Sequence, residues 1–228
     1  MSLLKKTEAI AIDGPAGSGK STVSRLVANK LGYVYIDTGA MYRAITLKVM
    51  REDIDLSDEE AIIELSQSVN IKLLPSNDNK STICVLLDDE DVSEAIRTLE
   101  VTINVKHVAK IPQVRENLVR LQRKMAKESG GAVMEGRDIG TVVLKDAKYK
   151  FYVDASFDER VHRRLAELKA KGQPATKTEV AEDLKARDHS DKTRKAGPLK
   201  KAEDAIFIDT TELSIDEVVQ KIVGHIKQ

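Results

Sequence analysis

Disulfides, membrane spans and bulk charge are all missing from this sequence. Cysteine occurs once in 228 residues, as Cys84, so no internal disulfide can form, which fits a reducing cytosol. No apolar run approaches the roughly 18 residues that a membrane span needs. The N-terminal Met-Ser-Leu-Leu-Lys-Lys lacks the apolar stretch of a secretory signal. Net charge is zero, with 37 Lys and Arg against 37 Asp and Glu. That argues against a partner held by bulk electrostatics, such as duplex DNA or an anionic membrane. The absences together predict a cytoplasmic protein with no nucleic-acid or membrane partner. The rest, 41% hydrophobic and 32% charged, is the composition of an ordinary globular chain, long enough for one large core or a core with an insert.

The zero is a sum of unlike parts. Residues 1–50 carry a net +4, 51–100 carry −10, 101–147 carry +4, 148–201 carry +6 and 202–228 carry −4. Such blocks ordinarily form solvated faces, and the acidic stretch is expected to be an exterior of that kind.

Residues 8–13 read as a buried strand ending in a glycine-rich turn. Val23, Leu26, Val27 and Leu31 then fall at helical spacing up to Gly32. A second strand is expected over 33–36 and a helix from about 40 to 51. Ser57/Glu60, Ser156/Glu159 and Ser214/Glu217 have the spacing of capping boxes. Pro112 suits the first turn of a helix with Val114, Leu118, Leu121 and Met125 on one stripe. Further strands over 132–134, 149–154 and 205–209 alternate with helices, which implies an α/β fold on a parallel sheet covered on both faces. Runs rich in β-formers at 69–74 and 82–87 break this rhythm around a polar turn. They predict a β-containing insert over 68–104, within a core of 1–67 and 105–228.

Gly14, Pro15, Ala16, Gly17, Ser18, Gly19, Lys20 and Ser21 match the pattern G-x-x-x-x-G-K-[ST] in full, between a predicted strand and a predicted helix. Glycines let backbone amides turn inward around a polyphosphate, and the helix N-terminus adds its partial positive charge there. Lys20 would reach the β- and γ-phosphates, and the Ser21 hydroxyl would bind Mg²⁺. The loop alone leaves kinases, GTPases, ATPases and regulatory nucleotide binders open. A guanine-reading Asn-Lys-x-Asp is missing, since the pair Asn29-Lys30 lacks the aspartate. An ATPase would end a hydrophobic strand in an acid, a form that 151–154 and 206–209 both have.

Arginines bear on that choice. Arg43 follows one strand–helix unit after the loop, and Arg137 and Asp138 follow the strand at 132–134. Arg160, Arg163 and Arg164 share one predicted helix face, as do Arg187, Asp191 and Arg194. Either stripe alone would be an exposed salt-bridge ladder. Four arginine sites in a phosphate-loop protein point instead to a second anionic substrate, since arginine binds phosphate bidentately and keeps its charge. An acceptor that is itself a phosphate needs no general base. Accordingly the four histidines are scattered and read as ordinary surface or packing residues.

The chain at this point resembles the bacterial cytidylate kinases, which are P-loop nucleoside monophosphate kinases. The resemblance runs over nearly the whole length, through 10–22, Asp-Thr-Gly-Ala-Met-Tyr-Arg (37–43), Pro-Gln-Val-Arg (112–115), Gly-Arg-Asp-Ile-Gly-Thr-Val-Val (136–143), Arg187, Asp191 and Arg194, and Ala-Gly-Pro-Leu (196–199). It implies a parallel core, an enlarged monophosphate-binding region and a mobile helical lid at about 155–175. It also implies that ATP and Mg²⁺ serve as donor and cofactor, that CMP or dCMP is the acceptor, and that the enzyme is a monomer. ATP phosphates would lie on Gly14 to Thr22, and the acceptor phosphate on Arg43, Arg137 and Arg194. Thr38 and Tyr42 would line the same site, the sugar would sit near Arg187 and Asp191, and Arg115 and Asp138 would face the base. Lys20, Arg137, Arg160 and Arg164 would act on the transferring phosphate, with Lys169 and Lys171 on the lid segment. One departure is Lys106, where the family commonly has a serine near base and sugar. A kinase for another acceptor such as UMP, and a P-loop ATPase or regulatory nucleotide binder, are the alternatives.

Overall fold

Alternating strands and helices become a central five-stranded sheet in the computed structural model, which describes residues 8–75, 83–170 and 172–226. Residues 76–82, which hold most of the expected turn at 75–81 and the first residue of the run at 82–87, lie outside the described residues, as do the N-terminal six residues and Lys171. The chain opens with β1 (Glu8–Asp13), α1 (Lys20–Leu31), β2 (Val34–Asp37), α2 (Thr38–Arg51) and α3 (Glu59–Ser68). Three short strands follow, β3 (Ile71–Leu74), β4 (Cys84–Leu87) and β5 (Glu90–Asp91), then α4 (Leu99–Ala109) and α5 (Pro112–Glu128). The rest is β6 (Gly131–Gly136), β7 (Tyr149–Asp154), α6 (Phe157–Ala170), α7 (Lys177–Thr193), β8 (Ile206–Asp209) and α8 (Ile215–Ile226). None of the helices in the described residues is long and apolar enough to cross a membrane.

The large sheet has the order β2-β6-β1-β7-β8 and is parallel throughout. Side chains alternate across it. Ile10 and Ile12 pack with Val133, Phe151, Val153 and the apolar faces of α1 and α8. Ala11, Ala132 and Met134 face the other way, against Val119 and Ala126 of α5. Both faces are therefore covered. The carboxyl ends of β1 and β6, in register at Asp13 and Gly136, open together onto one edge of the sheet, where ligands bind in such folds.

Insertion of the small antiparallel sheet β3-β4-β5 explains the break in rhythm. Ile71 pairs with Leu87 and Leu73 with Val85, and these residues pack onto a second core built by α2, α3, α4 and α5. β5 was not foreseen, since two residues, Glu90 and Asp91, carry no periodic signal. Position 104 falls within α4, which packs on α2. The acidic stretch is not merely solvated. Arg51 binds Glu90 through two bonds of 2.7 and 2.9 Å, Lys48 pairs with Asp88, and Lys72 pairs with Asp89 at 2.6 Å. Such exposed pairs each contribute about 0–1 kcal/mol, so the apolar side carries the attachment.

Helix starts correct one expectation and half of another. Ser57 and Glu60 form no capping box: Asp58 is the N-cap and accepts from the Ala61 amide at 3.0 Å, while Ser57 bonds Asp55. An aspartate one residue further along takes the cap position, so the helix starts one residue later and the amide held is that of Ala61, not of Glu60. At Ser156 only the serine half forms, because Glu159 is drawn to Arg163 at 2.8 Å. Both halves form at Ser214 and Glu217, and a further box joins Thr176 and Glu179.

Candidate active site

Directly after β1 the chain enters the glycine-rich loop. A Cβ on Gly14 would lie 2.0 Å from the Val153 carbonyl oxygen, and Gly17 and Gly19 have φ of +78° and +83°, so the sharp turn requires glycine. Lys20, the first residue of α1, is buried, and its Nζ donates to the Pro15 carbonyl at 2.9 Å. Burial, together with the nearby Arg137 cation, pushes the Lys20 ammonium down to about 7, against the pull of Glu135 and Asp191. An ammonium in this state is stabilised by an incoming anion.

Two carboxylates stand beside this loop. Glu135, at the end of β6, accepts from the Ser21 hydroxyl at 3.0 Å and from the Tyr35 hydroxyl. Burial, and then the charge of Asp37, raise its carboxyl above the usual range. Asp37 caps α2 by accepting from the Ala40 amide at 2.9 Å and pairs with Arg43 at 3.1 Å. Burial works to raise Asp37, but Arg43, the Ala40 amide, Arg97 and Lys20 hold it low. The strand-terminal acids singled out in the sequence, Asp154 and Asp209, do not line the cleft, whereas Glu135 does. Reading that strand as 132–134 hid Glu135; its extension to Gly136 was the available signal.

Ser21, Glu135 and Asp37 supply hard oxygen donors of the kind Mg²⁺ takes. Among the described residues no group of three or more His, Cys, Asp or Glu is placed to hold a metal. The donor set thus suits a Mg²⁺ that arrives on phosphates and keeps water ligands, rather than one held in a cage of protein groups.

Loop and carboxylates form one wall of an open cleft of about 1760 Å³. The same lining also gathers Thr38, Tyr42, Arg43, Arg115, Arg137, Asp138, Arg187, Asp191 and Arg194, from four separate parts of the chain. Arg137 Nε donates to Asp191 Oδ2 at 2.6 Å, and Arg194 lies 3.4 Å from Asp191 Oδ1. Arg115 pairs with Asp138 at 2.6 Å and stacks over the Tyr42 ring at 5.2 Å. Burial works to raise Asp191, but Arg137, Arg194 and Arg187 hold it low. Burial, then Arg137, lowers Arg187, as expected where cations outweigh their counter-charges. Asp13 braces the segment behind these residues. Its carboxylate accepts from the amides of Ile139 and Gly140, both at 2.8 Å, in the one-turn π-helix Ile139–Val143.

Arginines of α6 do not act as one stripe. Arg164 lines the cleft and pairs with Glu167 at 2.8 Å. Arg163 also lines it, and reaches Ser18 O at 3.3 Å and Thr210 Oγ1 at 2.9 Å. Arg160 is buried below the phosphate loop, outside the cleft lining. Lys106 lines the cleft from α4, and Arg97 lines it from the 3₁₀ turn Ala95–Arg97 just before that helix, where a single arginine carries no sequence pattern.

The family model described as cytidylate kinase matches residues 10–228. A cytidylate kinase of Caldanaerobacter subterraneus subsp. tengcongensis is 52% identical over 226 residues, covering 99% of this chain and 97% of that one. A cytidylate kinase of Bacillus thuringiensis is 50% identical over 221 residues, covering 97% and 96%. Among solved structures, an uncharacterized protein from Eubacterium ventriosum superimposes with a TM-score of 0.52 at 14% identity, covering 97% of this chain and 99% of that one. That likeness concerns the fold alone.

Proposed function

Since this chain belongs to the cytidylate kinase family, it is a kinase that phosphorylates CMP from ATP, giving CDP and ADP, and we propose that it does so by direct in-line transfer across the cleft, with dCMP as a second acceptor. The observation that carries this reading is one continuous cleft lined both by the phosphate loop and by Arg43, Arg137 and Arg194.

Backbone amides of residues 14–22 hold the phosphates of ATP, and Lys20 follows the charge that moves with the γ-phosphoryl group. The acceptor phosphate lies on Arg43, Arg137 and Arg194. Arg187 and Asp191 bind the sugar, and Thr38 and Tyr42 close the site beside Arg115 and Asp138, which read the base. Cytosine offers an N4 amino donor to Asp138, whereas uracil would set a carbonyl against that carboxylate and leave a buried acceptor unpaired. Lys106 donates toward the base or sugar from α4. The acceptor phosphate attacks as an anion, so no general base is required, consistent with a cleft lining without histidine among the described residues.

Ser21 and Glu135, with Asp37 beyond them, would hold Mg²⁺ arriving on ATP. The chemistry it would supply there is neutralisation of phosphate charge and orientation of the donor. Arg164, with Arg163 beside it, stabilises the charge spread over the moving group. Closure of the lid at about 155–175 excludes water, which would otherwise hydrolyse ATP. The enzyme works as a cytoplasmic monomer in pyrimidine nucleotide metabolism, without nucleic-acid or membrane partners.

ADP release, measured by a coupled assay with CMP, dCMP, UMP, AMP and no acceptor, tests the reading. CMP and dCMP are expected to dominate. Equal turnover of UMP would remove the base assignment, and turnover of ATP without an acceptor would favour an ATPase.

A further inference from the structure

Arg160 turns its guanidinium away from the cleft that Arg163 and Arg164 line. Nη1 donates to the Ala16 carbonyl, in the middle of the phosphate loop, at 3.0 Å, and Nη2 donates to Asp188 Oδ2 at 2.7 Å. The loop is built around it, since a Cβ on Gly17 would come within 3.1 Å of Arg160 Cβ and of its carbonyl oxygen. Asp188 is itself buried and sits on α7. That helix also presents Arg187 and Asp191 to the cleft, and Asp191 accepts from Arg137 at 2.6 Å. A continuous set of contacts thus runs from the donor loop, through Arg160 and Asp188, to the cluster on the acceptor side.

We propose that Arg160 and Asp188 are positioning residues that couple the donor loop to α7, so that ATP and CMP strengthen each other's binding. The inference rests on the reading of the cleft as paired donor and acceptor sites. Phosphates gripped by the loop amides fix the peptide planes of residues 14–20, and therefore the direction of the Ala16 carbonyl. Arg160 passes that direction to Asp188, and α7 passes it to Asp191 and Arg187. Reciprocity requires CMP to order the donor loop by the same factor.

A buried ion pair is a poor source of stability, because desolvation offsets most of its attraction. This one is also left with spare valences. Arg160 Nε and Asp188 Oδ1 have no hydrogen-bond partner, and Arg160 Nε stands 3.7 Å from Asp154 Oδ1. A small shift of α6 would close that gap, so that Arg160 has one arrangement bonded to Asp188 alone and one with a bond from Nε to Asp154 added. Two discrete arrangements are what a coupling element needs.

Calorimetric titration of CMP, with and without a non-hydrolysable ATP analogue, measures the coupling. The unsubstituted enzyme should bind CMP at least about fivefold more tightly with the analogue present. In Asp188→Asn each nucleotide alone should bind within about threefold of the original, while the mutual enhancement falls below about twofold. Arg160→Lys, whose single ammonium cannot span Ala16 and Asp188 together, should lose the enhancement in the same way. Thermal melts identify which variant is folded, and either one suffices. An undiminished enhancement in a folded variant overturns the coupling, as does its absence from the unsubstituted enzyme. Parallel loss of both affinities at constant enhancement would also reject it, by assigning the pair a merely structural role. Absence of CMP binding to the unsubstituted enzyme would instead fail the acceptor reading, and the coupling with it.

Discussion

Asp138 and Arg115 meet at 2.6 Å with side chains only 6% and 5% exposed, and Arg194 stands 3.7 Å from the other carboxylate oxygen. A second bond holds Arg115 to the Ala109 carbonyl at 3.1 Å. Asp138 is therefore an oriented acceptor before any base arrives.

Replacing Asp138 by Asn keeps the shape and swaps one acceptor for a donor. The preference for CMP over UMP, taken as the ratio of kcat/KM values, should shrink by about tenfold or more, the worth of one buried polar group left unpaired. An unchanged ratio in steady-state assays would take Asp138 away from the base.

Gly197 covers this pair. Its φ is +56°, and a Cβ there would lie 2.1 Å from Asp138 Oδ2 and 2.5 Å from Arg115 Nη2. Its carbonyl also accepts from Arg194 Nε at 2.7 Å. Gly197→Ala strains the backbone and displaces three residues of the acceptor site together. KM for CMP should rise about tenfold or more, since misplacement of this order carries large penalties. KM for ATP should stay within about twofold. Equal loss for both substrates would refute this placement.

Lys20 links ATP binding to pH. Burial and Arg137 hold its ammonium at about 7, and a bound polyphosphate raises it again. Affinity for ATP is thus greatest below about pH 7 and falls as pH rises through it, because binding must then take up a proton. At pH 8 the uptake should be roughly 0.9 proton per ATP. It is measured by calorimetry in buffers of different ionisation enthalpy, and Lys20→Met should abolish it. Zero uptake by the unsubstituted enzyme would contradict this state of Lys20.

Asp13 makes a pH dependence of the same sign, in stability rather than in binding. Burial raises its carboxyl to about 6, against the two amides it accepts from. The native state therefore holds this proton more tightly than the unfolded chain does. Its contribution is fully present below about pH 4 and is lost as pH rises to about 6, by at most about 3 kcal/mol. Asp13→Asn cannot titrate, so its stability relative to the unsubstituted protein should improve between pH 4 and 6 in urea unfolding. Parallel curves would count against a raised Asp13.

Legibility in the sequence followed how local the cause was. The phosphate loop was readable because eight consecutive residues make it, and β1, β7 and α1 because periodicity and a glycine stop lie within single segments. The insert was visible from β-rich runs, but β5 was too short to show. Ser57 misled because its neighbour Asp58 is an equal or better cap, and such competition is decided by backbone direction. Glu135 was missed although one more residue of strand would have reached it.

Composition and motif by themselves determined that this chain is an α/β phosphate-loop protein carrying a second set of arginines, because glycine conformations, helix spacing and charge are local properties. Only the tertiary structure decided which of those arginines face the cleft. Arg160 and Arg164 are four residues apart on one helix, and spacing makes them equivalent. One lies beneath the loop against Ala16 and Asp188, and the other lines the cleft. What separates them is the surface that the phosphate loop and α7 present to each, and packing between segments far apart in the chain creates that surface.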